Sequence, residues 1–137
     1  MKKFLVMAIC GLVVAGSAME ALAASARVRC RIQNGNRLRV QVDGQNVPAG
    51  KYSATLTNLR TNATASTDPL KLQSPVIVAP ARVGNVDLDF DSTAQANDKD
   101  SRIAATFARS GDGISAVVNK VGTTLTPVAS ATTTCTQ

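Results

Sequence analysis

Two alternating runs flank a polar turn, Arg27-Val28-Arg29-Cys30-Arg31-Ile32 before it and Arg37-Leu38-Arg39-Val40-Gln41-Val42 after it, and they leave few folds open. Side chains of a strand point to opposite faces in turn, so Val28, Cys30 and Ile32 share one face and Arg27, Arg29 and Arg31 the other. In the second run Leu38, Val40 and Val42 oppose Arg37, Arg39, Gln41 and Asp43. The turn length follows from keeping apolar residues together. A two-residue Asn34-Gly35 turn would set Ile32 against Arg37. A three-residue loop, Asn34-Gly35-Asn36, sets Ile32 against Leu38, Cys30 against Val40 and Val28 against Val42. The same register puts Arg31 across from Arg39, a like-charge pair that costs stability unless solvent or an anion relieves it.

The chain opens with Met1-Lys2-Lys3, an apolar run from Phe4 to Val14, and small residues that offer two cleavage signatures, Ala21-Leu22-Ala23 and Ala24-Ser25-Ala26. This order predicts a Sec-type signal peptide over 1–26, removed on export to the periplasm or medium, and one domain over 27–137. The apolar core is shorter than the roughly 20 residues a spanning helix needs, so no membrane span is expected after cleavage. Cys10 lacks the context of a lipoprotein signal. Loss of Lys2, Lys3 and Glu20 from the 15 Lys+Arg and 9 Asp+Glu leaves 13 against 8, a net +5 in which every acid is an aspartate. Two cysteines then remain, Cys30 and Cys135, and an oxidising compartment pairs them as a disulfide between the first and last strands.

Beyond the first hairpin, short alternating segments recur between turn residues and no helical period emerges. Lys51 to Thr57 turns Tyr52, Ala54 and Leu56 inward. Asn58 to Asp68 is polar and predicts a weak edge strand. Leu70-Lys71-Leu72 and Pro75-Val76-Ile77-Val78 are confined by prolines to edges or strand starts. Val83 to Asp91 reads as one strand with Val86, Leu88 and Phe90 in and Asp87, Asp89 and Asp91 out. Arg102 to Arg109 reads as a strand burying Ile103, Ala105 and Phe107. Ile114 to Val121 follows, then a last strand in which Leu125, Ala129, Ala131, Thr133 and Cys135 share a side. The fold expected is all-β: a single antiparallel β-sandwich, Ig-like or prealbumin-like, of about seven to eight strands.

Three segments carry a resemblance: Val42-Asp43-Gly44-Gln45-Asn46-Val47-Pro48-Ala49-Gly50-Lys51-Tyr52-Ser53-Ala54, then Val86-Asp87-Leu88-Asp89-Phe90-Asp91-Ser92, and finally Ala129-Ser130-Ala131-Thr132-Thr133-Thr134-Cys135. Together they resemble a group of small exported bacterial proteins with one terminal cysteine pair and no assigned activity. The Pro48-Ala49-Gly50-Lys51-Tyr52 piece is similar to the turn-then-strand of prealbumin-like and carboxypeptidase-regulatory modules. These resemblances imply an address and a sandwich, not a reaction.

Missing residue types exclude most chemistry. The chain has no histidine or tryptophan, and its one glutamate, Glu20, leaves with the leader. A serine or threonine nucleophile has no evident base, and the cysteines form neither a CxxC nor a tetrahedral metal set, so no enzyme activity and no obligatory cofactor are expected. Calcium is the metal to consider. Asp87, Asp89, Asp91, Thr93, Gln95 and Asp98 fall at positions 1, 3, 5, 7, 9 and 12 of a calcium-loop template, although Ser92 stands where the loop wants glycine. A solvated strand face is the plainer account. The other candidate is an anion site on Arg27, Arg29, Arg31, Arg37 and Arg39, whose guanidinium groups can fork onto carboxylates or phosphates. Charges that keep a strand face soluble would look the same.

Nucleic acid fits poorly, because Tyr52, Phe90 and Phe107 are the only aromatic residues after the leader and all read as inward. The expected partner is an envelope or extracellular protein or a polyanion. A calcium- or anion-binding accessory protein is the alternative. A pilin-like subunit is a third reading, and it would show an open groove awaiting a donor strand.

Overall fold

A computed structural model describes residues 22–137. Among the described residues nine strands form two facing sheets, a β-sandwich. The strands are β1 (Ser25–Gln33), β2 (Arg37–Pro48), β3 (Lys51–Asn58), β4 (Thr64–Ser66), β5 (Val83–Asp87), β6 (Phe90–Asp91), β7 (Ser101–Arg102), β8 (Gly113–Val121) and β9 (Leu125–Thr134). Sheet A runs β1-β2-β6-β7, with β5 also on β2, and sheet B runs β4-β3-β8-β9. All pairings are antiparallel except β6 with β7.

The first hairpin adopts the three-residue loop. Ile32 faces Leu38, Cys30 faces Val40, Val28 faces Val42, and Arg31 stands across from Arg39. Asn34 and Gly35 take positive φ, 49° and 82°, the backbone that asparagine and glycine accept most readily. The apolar faces meet between the sheets. Leu38, Val40, Val42 and Val47 of β2 are fully buried with Tyr52, Ala54 and Leu56 of β3 and Ile114, Ala116 and Val118 of β8. Tyr52 fits because its hydroxyl donates to the Pro48 carbonyl at 2.7 Å. Gly44 lies on the same inner face, and a Cβ there would come within 2.8 Å of the Val86 side chain.

Cys30 and Cys135 are disulfide-bonded and buried, joining sheet A to the end of β9 in sheet B. Just beyond the bridge the chain lies along β1. The Ile32 N–H donates to Thr136 O at 2.8 Å, and the Thr136 N–H donates to Cys30 O at 3.1 Å. This part of the β1 edge, where a donor strand would add, is occupied by the chain's own last residues.

Four local expectations change. The run from Val83 to Asp91 is broken at Leu88-Asp89, because the Asp89 carboxylate, rather than a ladder carbonyl, accepts the Val42 N–H at 3.1 Å. Asp89 and Asp91 are therefore buried, and only Asp87 of the three points to solvent. Arg102 to Arg109 is not a strand. Past Arg102 it turns through a short 3-10 helix, Ala105–Phe107, that buries Ile103 and Phe107 but exposes Ala105. Pro69–Lys71 is also a 3-10 turn, started by the Asp68 carboxylate on the Leu70 N–H.

The fourth change is in β9. A register shift opposite Val118 and Asn119 lets Val128 bulge, which reverses the alternation below it. Ala129, Ala131 and Cys135 still face inward, while Leu125 turns outward and is 55% exposed.

Most of the expected leader lies outside the described residues. Its last five residues, Leu22 to Ala26, are described, and two of them form the first rungs of β1, Ser25 paired with Gln45 and Ala26 with Gly44.

Candidate anion-binding face

All five candidate arginines reach the outer face of sheet A, where the alternation of β1 and β2 sends them. Strand order then decides which of them stay free. β2 is central, with β1 on one side and the aspartate-bearing β5 and β6 on the other. Arg39 stands across from Asp91, and Asp43 across from Asp87. Arginines thus occupy the β1 side of the face and aspartates the β5–β6 side.

The acids take up the β2 arginines. The Arg37 guanidinium forks onto both oxygens of Asp91, with Nε 3.1 Å from Oδ1. Asp91 also accepts from the N–H and hydroxyl of Thr93 at 2.9 and 2.8 Å. Those bonds, led by Arg37, hold the Asp91 carboxyl down at about 2 despite its burial. Arg39 reaches Asp100, Nη2 to Oδ2, at 3.8 Å, although its Nε and the Asp100 Oδ1 are buried without a hydrogen-bond partner. Sequence reasoning missed Asp100, which sits in a polar loop whose course only the fold reveals.

The rest of the acidic column is under strain of a different kind. Burial, and then the facing Asp87, push the Asp43 carboxyl up, against the pull of Arg29 and Arg27. Burial also raises Asp89, partly offset by the Val42 N–H. Asp43 and Asp87 therefore crowd one another across the ladder. Among the described residues no three carboxylates or thiols are grouped to hold a metal ion. Of the calcium template, Asp91 is committed to Arg37 and Asp98 Oδ2 accepts the Gln95 N–H at 2.6 Å. The Gln95 and Asp100 carbonyls accept from the Lys71 ammonium at 3.1 and 2.7 Å. The chain's own cations occupy oxygens that calcium would need.

What remains is the β1 column. Among the described residues Arg27, Arg29 and Arg31 are exposed and form no ion pair, whereas Arg37, Arg39 and Arg60 do. Alternate residues of one strand lie roughly 6.5–7 Å apart. Three parallel guanidinium groups at that spacing can hold successive carboxylates, phosphates or sulfates.

A second ionic cluster, also missed in the sequence, closes the far end of sheet B. Asp112 is buried and accepts from Arg60 Nε at 2.6 Å, Asn58 Nδ2 at 2.9 Å and the Arg109 N–H at 3.0 Å. Arg60 first, then the two other donors, keep its carboxyl well below the usual range. Both oxygens of the Asp112 carboxylate are paired within the fold. No family model, curated protein or solved structure matches the chain.

Proposed function

We propose that this is an exported, non-catalytic β-sandwich that holds an acidic envelope or extracellular partner, protein or polyanion, on the arginine column of β1. The observation that carries this reading is the contrast within one face: Arg37 and Arg39 of β2 form ion pairs with Asp91 and Asp100, whereas among the described residues those of β1 form none, Arg27 and Arg29 having only the more distant pull of Asp43 and Arg31 standing across from another arginine. A strand face that needed charge only for solubility would gain from cross-strand matching. Here the like-charged pair Arg31 and Arg39 is kept instead. The buried disulfide fits an oxidising compartment. Cleavage of the leader after Ala23 would leave β1 whole, whereas cleavage after Ala26 would remove two of its paired residues.

The test compares the protein with an Arg29→Thr/Arg31→Thr variant, since threonine suits a strand and the buried face is untouched. Sulfate or phosphate should raise the melting temperature of the parent more than chloride does at matched ionic strength. The variant should lose that difference. Sulfate also stabilises proteins in general by exclusion from their surfaces, so an equal gain in both proteins would reduce the column to a solvated face.

A further inference from the structure

The strand registers gather several connections at one end of the sandwich, called here the Pro48 end. β2 finishes at Pro48 and β3 begins at Lys51. Lys51 pairs with Val121 and Val121 with Leu125, so the β8–β9 turn lies there too. Pro48 pairs with Val83, and Val83 bridges to Val78, which adds the loop Pro75–Arg82. β1 also starts at this end, three rungs above Pro48.

Exposed apolar residues concentrate here. Val76 is 82% exposed, Val78 63% and Leu125 55%, and Ile77 and Leu22 join them. The loop that displays the three consecutive branched residues is built in place. The Val78 N–H donates to Val83 O at 3.0 Å, and the Arg82 N–H donates to Val78 O at 2.9 Å. Gly84 lets the Val76 carbonyl lie where a side chain would stand, since a Cβ there would be 2.2 Å from that oxygen. Solvent exposure of β-branched residues on a fixed loop has no internal structural return, and such patches mark contact surfaces.

The charge around the patch identifies the contact. Residues 22–26, 44–52, 75–86 and 120–126 contain no aspartate or glutamate, and they carry Lys51, Arg82 and Lys120, all exposed. The Lys120 side chain lies over Gly50, which keeps its ammonium at this end. On the sheet A side the nearest acids, Asp43 and Asp87, stand roughly 15 Å up the β2–β5 ladder, and on the sheet B side one acid, Asp68, lies between Thr67 and Pro69, which share a hollow with Leu125.

We propose that the Pro48 end docks on an anionic lipid surface, with Val76, Ile77, Val78 and Leu125 dipping among the headgroups and Lys51, Arg82 and Lys120 facing the lipid charge. Interfacial binding of this kind combines buried apolar area with attraction between basic side chains and anionic lipids. It is separate from the arginine column, which lies on the flank of sheet A.

The experiment is flotation of the exported protein, its N-terminus sequenced to confirm loss of the leader. The vesicles are phosphatidylethanolamine with phosphatidylglycerol, or phosphatidylcholine alone. The protein should float with the anionic vesicles and not with the neutral ones, and salt should release it. Val76→Ser/Val78→Ser should lower partitioning roughly tenfold or more, as expected for two branched side chains no longer buried. Leu125→Ser, on a different turn, should lower it by a smaller factor. Lys51→Gln/Arg82→Gln should weaken binding and flatten its salt dependence, while Arg29→Thr/Arg31→Thr should still float. Failure of the parent protein to float, or equal partitioning of the two apolar variants and the parent, would overturn the proposal. So would a loss confined to the Arg29/Arg31 variant, which would assign lipid to the arginine column instead.

Discussion

The outer faces of the two sheets solve the same problem by different chemistry. In sheet A, charges face charges across the ladders, Arg27 against Asp43, Arg31 against Arg39, Arg39 against Asp91 and Asp43 against Asp87, and stability depends on which charge stands opposite which. In sheet B the corresponding rows are hydroxyls except at Val117. Ser66, Thr55, Val117 and Ser130 form one, and Thr64, Thr57, Ser115 and Thr132 the next. A hydroxyl both donates and accepts, so any neighbour or a water suits it. A buried or crowded charge accepts only a few arrangements. Sheet B is therefore insensitive to register errors in its outer rows, and sheet A is not. An unmatched charge in sheet A is correspondingly informative, which is why the β1 column stands out.

The largest expected effect tests whether the two sheets fold as one unit despite that difference. Replacing Cys30 and Cys135 together by alanine removes the covalent link between them. It should cost about 2–5 kcal/mol in urea unfolding. Hydrogen exchange should quicken in both sheets together. Loosening of sheet B alone would mean that the bridge serves only to hold β9.

A smaller effect separates the faces directly. Asp91→Ala leaves Arg37 and the Thr93 N–H without their acceptor and should cost about 1–3 kcal/mol, toward the low end because Arg37 is 40% exposed and screened. Thr57→Ala and Thr132→Ala, on the hydroxyl face, should each stay within about 0.5 kcal/mol. Comparable losses from both kinds of substitution, measured by chemical denaturation, would erase the contrast.

The subtlest effect is in pH, and its sign differs from group to group. Asp91 and Asp112 have lowered folded values, so the stability they supply is present above the unfolded carboxylate range and is lost as pH falls through their folded values, about 2 for Asp91. Asp43 and Asp89 have raised values, so ionising them opposes folding at neutral pH, and that cost disappears as pH falls through their folded values. The melting temperature should first rise as pH drops from neutral, then fall in strong acid. Asp43→Asn should flatten the rise. A steady decline from neutral pH downward would show that the Asp43–Asp87 juxtaposition is relieved by solvent.

Much of this was legible in the residues because alternation is a local property. Val28, Cys30 and Ile32 against Leu38, Val40 and Val42 specify both a face and a loop length, and the hairpin forms accordingly. The inward parity of Cys30 needed nothing but strand counting from the nearby turn, whereas that of Cys135 goes with Ala129 and Ala131, which lie on its side of the bulge. Alternation misled wherever one backbone rung was replaced. Asp89 took the place of a carbonyl on Val42, and the bulge at Val128 turned Leu125 out. The bulge had a signal in Pro127, since proline within a strand sits at edges or bulges, whereas nothing in the alternating run told which of its aspartates would replace a rung.

The candidate site shows the same division. The sequence by itself determined that five arginines would share a face and that several aspartates would crowd another strand, because the parity of a strand depends only on its own residues. Which arginines those aspartates would neutralise was decided by strand order, with β2 placed between β1 and β5–β6, and by the fold of the loop that carries Asp100. The Pro48 end is likewise a product of the tertiary structure. Its residues come from four separated segments, each ordinary alone, and only their pairing collects the exposed valines, the basic side chains and the start of β1 in one place. Local periodicity acts through steric geometry within a few residues, whereas ion pairing and surface patches depend on distances between segments that only the closed sandwich sets.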